Sequence, residues 1–211
     1  MENRIPNVVI RRMAIYLRIL SGLDLENSRY ISSQELGERA GVSPAQVRKD
    51  LAMFGQFGKP GVGYHGKTLK AELKRILKAD RVIRICIIGI GELGRAITRY
   101  NLKRFATEKE YPFKVVALFD SDPAKIGTKI EALEIRPVNE LSQTAQACGG
   151  VDVAIITVPA EAAQEVLDLV VAAGIKAVLN YAPIKLKVPE HVKLHSADVS
   201  LDLHQVAYHL E

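Results

Sequence analysis

The sequence predicts an α/β protein of two domains, a winged helix-turn-helix followed by a doubly wound parallel sheet. Three observations predict this fold. Two short helices with capping signals meet at Gly41, a buried strand leads into a glycine-rich turn, and strands alternate with helices from there onward. The short polar stretch 79–81 is the predicted boundary, so that residues 1–80 form the first domain, residues 81–199 the second, and residues 200–211 a terminal helix.

Charge is distributed unevenly between the predicted domains. Residues 1–80 contain 14 Lys and Arg against 8 Asp and Glu, whereas residues 81–211 contain 15 against 16. The net charge of +5 therefore comes from the first domain. A basic module joined to a nearly neutral one is typical of a nucleic-acid-binding domain with a partner domain.

The sequence lacks the features of membrane proteins, metalloproteins and enzymes. No apolar run reaches about 18 residues and the N-terminus is unlike a signal peptide, so we expect a cytoplasmic protein with no membrane association. The histidines form no convincing metal pair, and no hydride-transfer group stands at the strand ends, so we predict no metal site and no catalysis. Cys86 and Cys148 are expected to be small buried hydrophobic residues, although a redox-sensitive thiol at Cys148 stays open.

The first domain is predicted to contain a helix, a helix-turn-helix and a hairpin. The first helix, residues 8–25, has an apolar stripe at Val9, Met13, Tyr16, Leu17 and Leu20. Ser32-Ser33-Gln34-Glu35 and Ser43-Pro44-Ala45-Gln46 are capping boxes, in which the serine caps the helix and the Glu or Gln reaches back to the cap N–H. Gly41 ends the first of these two helices, which predicts a tight turn between them.

The second of these helices, residues 45–54, is the expected DNA-recognition helix. Side chains at the start of such a helix reach base edges in the major groove. The predicted contacts are Ser43, Ala45, Gln46, Arg48 and Lys49. A solvated face on a small helical domain is the alternative, and the basic balance of the domain favours DNA.

Residues 55–64 contain four glycines and a proline around one lysine, which predicts a hairpin with a flexible tip, the wing. Lys59 at the tip is expected to lie along phosphates or in the minor groove, and Gly61 and Tyr64 are further predicted DNA contacts. A surface loop between helices is the alternative. A helix over residues 67–78 completes the domain.

Gly89-Ile-Gly-Glu-Leu-Gly94 follows the apolar strand 85–88 and precedes a helix predicted over residues 93–105. In a Rossmann domain the first glycine permits the turn, the second lets the backbone approach a pyrophosphate, and the third lets helix and strand pack closely. We therefore expect a dinucleotide to be held by Gly89, Ile90, Gly91, Glu92, Leu93 and Gly94. An ordinary glycine turn at a strand end is the alternative.

The remaining strands predict where the rest of a dinucleotide would lie. Asp120 follows the second strand, residues 113–119, where an acid accepts ribose hydroxyls and repels a 2′-phosphate; this favours NAD over NADP, unless the acid is only a loop residue. Strands over 151–158 and 177–179 place candidate nicotinamide neighbours at their carboxyl ends: Thr157, Val158, Pro159, Asn180 and Ala182. Residues 200–210 form an amphipathic helix, either docked on its own sheet or lent to a partner subunit.

The order of these elements closely resembles the Rex family of bacterial redox-sensing transcriptional repressors, over essentially the full length. The most specific matches are Arg48-Lys49-Asp50-Leu51 with Phe54-Gly55, Gly61-Val62-Gly63-Tyr64, and Asn180-Tyr181-Ala182-Pro183. The resemblance implies a homodimeric repressor that binds an inverted-repeat operator and senses the NADH/NAD+ ratio. NADH and NAD+ would be sensed ligands that are not consumed, and NADH would release the DNA.

The resemblance also implies how the two functions are coupled. The C-terminal helix, residues 200–211, would be exchanged between subunits and wedge against the two domains of the partner. Arg18, Tyr100 and Asp198 would correspond to a polar network that switches between two states, with Tyr100 also near the coenzyme. Val199 follows Asp198 where some members have an aromatic residue.

Two other functions stay open at this stage. An NAD-dependent oxidoreductase would share the predicted coenzyme site but would also need a substrate pocket and a proton donor. A nucleotide- or coenzyme-A-binding ligase subunit shares a similar glycine turn but gives no reason for the basic winged domain.

Overall fold

The computed structural model describes residues 5–25 and 29–210 of the 211-residue chain. The chain divides into two units that each pack within themselves, residues 1–81 and residues 82–211. Within the described ranges, no helix is long and apolar enough to span a membrane.

The first unit is a winged helix-turn-helix, as predicted. Its elements are α1 (Asn7–Ser21), β1 (Tyr30–Ile31), α2 (Ser33–Ala40), α3 (Pro44–Ala52), β2 (Gly58–Lys59), β3 (Gly63–His65) and α4 (Gly66–Ile76). The strands form an antiparallel sheet in the order β1-β3-β2, in which β2 and β3 are the strands of the wing. The four helices share one core, whose buried members include Met13, Tyr16, Leu20, Leu36, Val47, Leu69 and Leu73.

Serine side chains begin both helices of the predicted pair. The Ser32 hydroxyl accepts the N–H of Glu35 at 3.0 Å, and the Ser43 hydroxyl accepts the N–H of Gln46 at 3.1 Å. The second half of the first capping box was wrong, because the Glu35 carboxylate pairs with Arg29 at 2.7 Å. The hydrogen bond from a charged arginine to that carboxylate is stronger than one from a single backbone N–H.

The second unit is a doubly wound α/β domain. Its elements are β4 (Ile83–Ile88), α5 (Glu92–Thr107), β5 (Phe113–Asp120), β6 (Lys129–Ile130), β7 (Leu133–Pro137), a 3₁₀ turn (Val138–Glu140), α6 (Leu141–Ala147), β8 (Val153–Ile156), α7 (Ala160–Ala172), β9 (Ala177–Asn180), β10 (Lys193–Ser196) and α8 (Val199–Ala207). The sheet order is β10-β9-β8-β4-β5-β7-β6, and only β6 pairs antiparallel. The strand order reverses between β4 and β8, which is where such folds bind their ligands.

The central strand β4 is buried on both faces. Ile85 and Ile87 pack in one core with side chains of α5, whereas Cys86 and Ile88 pack in the other with side chains of α6 and α7. Successive side chains of a strand point to opposite faces, so an unbroken apolar run requires helices on both sides of the sheet. The doubly wound fold predicted from this run is confirmed.

The segment 121–150 contains structure that the sequence analysis did not predict. The short strand β7 is the third parallel strand of its half of the sheet, and it pairs with β5 from Leu118↔Ile135 onward. Its apolar residues alternate over only five positions, and Ile135 is its one buried residue. Several predicted bounds also change; for example, α1 ends at Ser21, β8 covers four residues and α3 ends at Ala52.

The terminal helix α8 does not pack on the sheet of its own unit. All its described residues are exposed, and six large apolar side chains from Val199 to Leu210 have between 63% and 85% of their surface accessible. The docked alternative for this helix is therefore wrong within the single chain. An amphipathic helix with an uncovered apolar face requires a partner surface.

Candidate functional site

The three glycines between β4 and α5 have three different reasons to be glycine. Gly89 has φ +94°, and a Cβ there would lie 2.7 Å from Val158 Cγ1. A Cβ on Gly94 would lie 2.0 Å from the carbonyl oxygen of Gly89. A Cβ on Gly91 would meet nothing within 4 Å, so only at this position does the backbone face open space. This is the division of roles expected where a pyrophosphate approaches the second glycine.

Helix α5 begins at this open position. Gly91 is its N-cap and provides no side-chain cap. The first N–H groups of a helix have no intrahelical acceptor, and its dipole places partial positive charge there. Glu92 and Leu93 are exposed at this end, whereas Ile90 is fully buried and can offer a ligand only its backbone. The helix start is a suitable anion site.

Thr157 holds the glycine loop from the neighbouring strand. Its hydroxyl donates to the carbonyl oxygen of Gly89 at 2.7 Å. Val158 packs beside the same glycine, and Pro159 is the N-cap of α7. Two of these predicted nicotinamide neighbours, Thr157 and Val158, therefore lie against the glycine loop, and the Thr157 hydroxyl is already hydrogen-bonded to it.

Asp120 is the last residue of β5 and is buried, with 6% of its surface exposed. Its Oδ2 accepts the N–H of Ile90 at 2.6 Å and the ammonium of Lys125 at 3.1 Å, and its Oδ1 accepts the N–H of Asp122 at 2.9 Å. Burial acts to raise the pKa of Asp120, but these hydrogen bonds and the lysine charge outweigh it and lower that pKa. The position of Asp120 was predictable from the sequence, but its pairing with Lys125 was not, because the only signal was a lysine five residues later.

The side-chain amide of Asn180, a predicted nicotinamide neighbour, has partners within its own loop. Asn180 is fully buried, and its amide donates to the carbonyl of Ala182 and accepts the N–H of Ala182, both at 2.9 Å. Asparagine often stabilises a turn in this way. Asn180 therefore shapes the loop after β9, and Ala182, only 5% exposed, lies within it.

Two residues of the expected switch network, Tyr100 and Asp198, have separate partners in the single chain. The Tyr100 hydroxyl accepts from Arg104 at 2.8 Å, and Arg104 also forms a two-point pair with Glu108 at 2.6 Å. The Asp198 carboxylate accepts the N–H of Ser200 at 2.9 Å and so caps α8. Arg18 is exposed on α1.

The start of α3 presents a basic surface. Ala45, Arg48 and Lys49 are exposed, and the Arg48 guanidinium donates to the hydroxyl of Ser33 at 2.8 Å, which fixes its position above α2. Ser43 is also exposed, although its hydroxyl is the helix cap. Arginine placed at the start of such a helix is the commonest reader of guanine in a major groove.

Gln46 was predicted to contact DNA and to close a capping box, and its side chain does not close the box. Its amide donates to Asp50 at 2.6 Å, one turn later on α3. Asp50 is buried and carries a charge, so it attracts the nearest donors within its own helix. The sequence signal that could have revealed this pairing is the i, i+4 spacing of Gln46 and Asp50.

The wing has an exposed tip and a buried base. Lys59, Pro60, Gly61 and Val62 form a turn closed by a 3.1 Å bond from Val62 N–H to the Lys59 carbonyl, with Gly61 at φ +76°. Proline followed by glycine at positive φ is typical of a type II turn, which leaves the lysine at its edge. Tyr64, a predicted DNA contact, is 8% exposed; it packs in the core of the unit and also lines the cleft beside the wing.

An open cleft of about 690 Å³ lies between α2, α3 and the wing. Its lining includes Ser32, Ser33, Pro44, Arg48, Leu51, Lys59 and Gly61. The cleft therefore combines two cations with hydroxyl groups at the start of α2. Such surfaces bind the phosphate backbone of DNA.

A buried polar cluster joins α1 to α3 behind this surface. Both oxygens of Asp50 pair with Arg12, one of them at 2.7 Å, and the Tyr16 hydroxyl donates to Asp50 at 2.9 Å. Burial acts to raise the pKa of Asp50, but the hydrogen bonds from Arg12, Gln46 and Tyr16 outweigh it and lower that pKa. The cluster fixes how the recognition helix sits on its domain.

We expect Asp50→Ala to lower the free energy of unfolding by about 3–5 kcal/mol, because Arg12 is left with an unpaired, largely buried charge. Stability from this pair is present at neutral pH, since the folded pKa lies below the ordinary value of 3.8, and is lost as pH falls through the folded pKa. Urea denaturation measures both effects. The control Glu72→Ala removes an exposed pair with Arg75 and should change stability by less than about 1 kcal/mol; an equal effect would contradict the assignment.

The two cysteines have unequal surroundings. Burial raises the pKa of the Cys86 thiol to about 12, so this thiol is unreactive at neutral pH. Cys148 is half-buried at the end of α6. Over residues 5–25 and 29–210, no group of three His, Cys, Asp or Glu side chains is placed to hold a metal ion.

Comparison with known proteins supports both units. A family model described as "Putative DNA-binding protein N-terminus" matches residues 4–52, and one described as "CoA binding domain" matches residues 80–184. The redox-sensing transcriptional repressor Rex of Brevibacillus brevis is 43% identical over 99% of this chain and 98% of its own. Its counterpart in Chloroflexus aurantiacus is 46% identical over 97% of this chain and 94% of its own.

Solved structures agree with these relatives. The crystal structure of RSP, a Rex-family repressor, matches with a TM-score of 0.83 at 36% identity, over 98% of this chain and 94% of its own. The structure of RSP in complex with β-NAD+ and operator DNA matches with a TM-score of 0.86 at 38% identity, over 98% of this chain and 93% of the RSP chain. The structure of RSP in complex with β-NADH matches with a TM-score of 0.83 at 35% identity, over 98% of this chain and 94% of the RSP chain. These relatives are transcriptional repressors and not enzymes, and the chain belongs to the Rex family of redox-sensing transcriptional repressors.

Proposed function

We propose that this chain binds operator DNA as a homodimer and releases it when NADH occupies the glycine loop. The observation that carries the proposal is that one chain combines an open glycine loop at a helix start with an exposed basic recognition helix. RSP, 38% identical to this chain, has been crystallised with β-NAD+ and operator DNA, and RSP has also been crystallised with β-NADH. Operator DNA in bacteria lies in the cytoplasm, which is where the protein would act.

The dinucleotide would lie across the switch point between β4 and β8. Its pyrophosphate would approach Gly91 and the start of α5, where backbone N–H groups and the helix dipole attract an anion. Asp120 would accept a ribose hydroxyl through Oδ1, which has the fewer partners of its two oxygens. The nicotinamide would then reach the loop after β8 and the loop after β9, near Pro159 and Ala182.

The DNA would meet α3 and the wing. Arg48 and Lys49 would enter the major groove, with Ser43 and Ala45 at the helix start close to phosphate and bases. Lys59 and Gly61 at the wing tip would follow the backbone. Gln46 and Tyr64 would support this surface from behind, because both side chains already have partners inside the domain.

A second copy of the chain would cover α8. Val199, Leu203 and Val206 form an apolar face of this helix that a monomer leaves in water, and burying each would stabilise a dimer by about 1.5–3 kcal/mol before entropic costs. Exchange of α8 between subunits would bring Asp198 to the partner, where it could compete for Tyr100 and Arg18. A twofold dimer would present two α3 helices to successive major grooves of an inverted repeat.

Discrimination between the coenzymes would depend on the nicotinamide ring, since only there do they differ. The oxidised ring carries a positive charge, which loses hydration on entering an apolar pocket, and the reduced ring does not. Any preference of NADH for the arrangement that cannot bind DNA weakens DNA binding by the same factor. A hundredfold switch needs a difference of about 2.7 kcal/mol.

The proposal is tested by measuring operator affinity by fluorescence anisotropy, without coenzyme and with saturating NADH, NAD+ or coenzyme A. We expect NADH to weaken operator binding by about 100-fold, and NAD+ and coenzyme A to weaken it by less than about threefold. Equal effects of NADH and NAD+ would reject redox sensing. An effect of coenzyme A alone would favour the ligand named in the description of the family model over residues 80–184.

Arg48→Ala provides the control for the DNA surface. This variant should lose about 1–3 kcal/mol of operator binding, while its affinity for NADH stays the same. Lys176→Ala removes an exposed cation from the second unit and should leave operator binding unchanged. A similar loss in both variants would indicate non-specific attraction to DNA.

A further inference from the structure

A lysine lies on the carboxylate to which the proposed function assigns the adenosine ribose. The Lys125 ammonium is 3.1 Å from Oδ2 of Asp120 and 3.6 Å from Oδ2 of Asp122. The Lys125 side chain is 29% exposed, so it lies partly open to solvent beside an acid whose side chain is 7% exposed. The acid at this position of the fold therefore does not present an uncompensated negative charge.

The hydrogen bonds of Asp120 limit what it can accept from a ribose. A carboxylate has about four lone-pair positions. Oδ2 already accepts from Ile90 N–H and from Lys125, and Oδ1 accepts from Asp122 N–H, which leaves one position, on Oδ1. Asp120 can thus accept one ribose hydroxyl but not two. The second ribose oxygen needs a different partner, and an ammonium has three N–H donors, of which one is used by the hydrogen bond to Asp120.

The backbone at Lys125 is held independently of its side chain. Lys125 N–H donates to the Asp122 carbonyl at 3.0 Å, and the Thr128 hydroxyl donates to the Lys125 carbonyl at 2.6 Å. Asp122 in turn accepts the N–H of Ala124 at 2.9 Å. Replacing the Lys125 side chain should therefore leave the turn in place, so the ammonium can be tested on its own.

We propose that Lys125 sets the selectivity of this site at the 2′ position of the adenosine ribose. If the dinucleotide binds as proposed above, the Lys125 ammonium donates to the 2′ oxygen and offsets the charge of Asp120. The site then binds NADPH as well as NADH, with NADPH the weaker ligand because Asp122 keeps a net negative charge nearby. The site therefore discriminates only moderately against the 2′-phosphate, because the Lys125 ammonium attracts that phosphate.

The variant Lys125→Met keeps the length of the side chain and removes its charge. NADH and NADPH affinities are measured from nicotinamide fluorescence, in a chain that has no tryptophan. We expect NADH binding to weaken by less than about threefold and NADPH binding by at least about 30-fold, because the phosphate would then meet two uncompensated carboxylates. Lys125→Arg should retain the wild-type ratio of the two affinities. Circular dichroism verifies that each variant is folded.

The outcomes separate this inference from the proposed function. An equal loss of NADH and NADPH affinity in Lys125→Met would make the lysine only a support for Asp120, and would overturn the inference. Failure of the wild type to bind NADPH, while it binds NADH, would overturn it as well. If the wild type bound neither coenzyme, the proposed function itself would fail. Lys129→Met, which removes an exposed lysine four residues away, should change neither affinity.

Discussion

Gly94→Ala is expected to destabilise the second unit by at least about 3 kcal/mol and to abolish NADH binding. The added methyl group would lie 2.0 Å from the carbonyl oxygen of Gly89 and 3.0 Å from the Thr157 hydroxyl. Neither neighbour can move without breaking the 2.7 Å hydrogen bond that the Thr157 hydroxyl donates to the Gly89 carbonyl. Helix α5 would have to shift away from β4, which destroys the loop that would hold the pyrophosphate. Thermal denaturation and NADH titration measure the two losses.

Gly91→Ala is the matched control for this prediction. Its methyl group would enter open space, and its φ of −81° suits any residue, so stability should change by less than about 1 kcal/mol. NADH affinity should still fall by at least about tenfold, because the methyl group occupies the path of the pyrophosphate. Such a variant would fold, bind operator DNA and no longer respond to NADH. Wild-type NADH affinity in Gly91→Ala would place the pyrophosphate elsewhere.

Features encoded by short stretches of sequence were predictable. The glycine spacing, the capping serines and the unbroken apolar run of β4 each determine a local conformation that leaves few alternatives. Ser32 and Ser43 cap their helices, and the glycine loop follows β4, as predicted. Asp120 could be placed at a strand end because the strand before it is buried.

Side-chain partners were not predictable, because they depend on residues brought together by the tertiary fold. Gln46 has the position of a base reader on α3, but the buried Asp50, neutralised by Arg12 from another helix, attracts its amide. Asn180 has the position of a ligand contact, but its own turn uses its amide. In each case a buried polar group needs a partner, and the nearest one within the domain satisfies it first.

The third parallel strand was missed for a related reason. β7 has only five residues and one buried side chain, so its pattern cannot be distinguished from that of a loop. Its place at the carboxyl end of β5 depends on pairing from Leu118 onward, a contact that the segment itself does not encode. Short edge-proximal strands of this kind take their structure from the sheet they join.

The double variant Leu203→Asp with Val206→Asp is expected to convert a dimer into monomers and to weaken operator binding by at least about 100-fold. Both side chains lie on the apolar face of α8, at 63% and 66% exposure in the single chain. Burying two carboxylates at an interface costs far more than the apolar contacts gain, so the helix would stay in solvent. A monomer engages one half-site at a time and loses the advantage of a linked second contact. Light scattering and operator titration measure the two effects.

Gln205→Asp adds the same kind of charge on the side of α8 opposite Leu203 and should leave the dimer intact. The comparison matters because any acidic substitution raises the negative charge facing DNA and lowers affinity slightly at low salt. If the double variant remained dimeric, α8 would not be the interface, and its exposed apolar face would need a different partner. If it became monomeric but bound the operator as tightly as the wild type, the dimer would exist without serving DNA recognition. If only the double variant loses both dimerisation and tight operator binding, α8 forms the interface that sets the spacing of the two α3 helices.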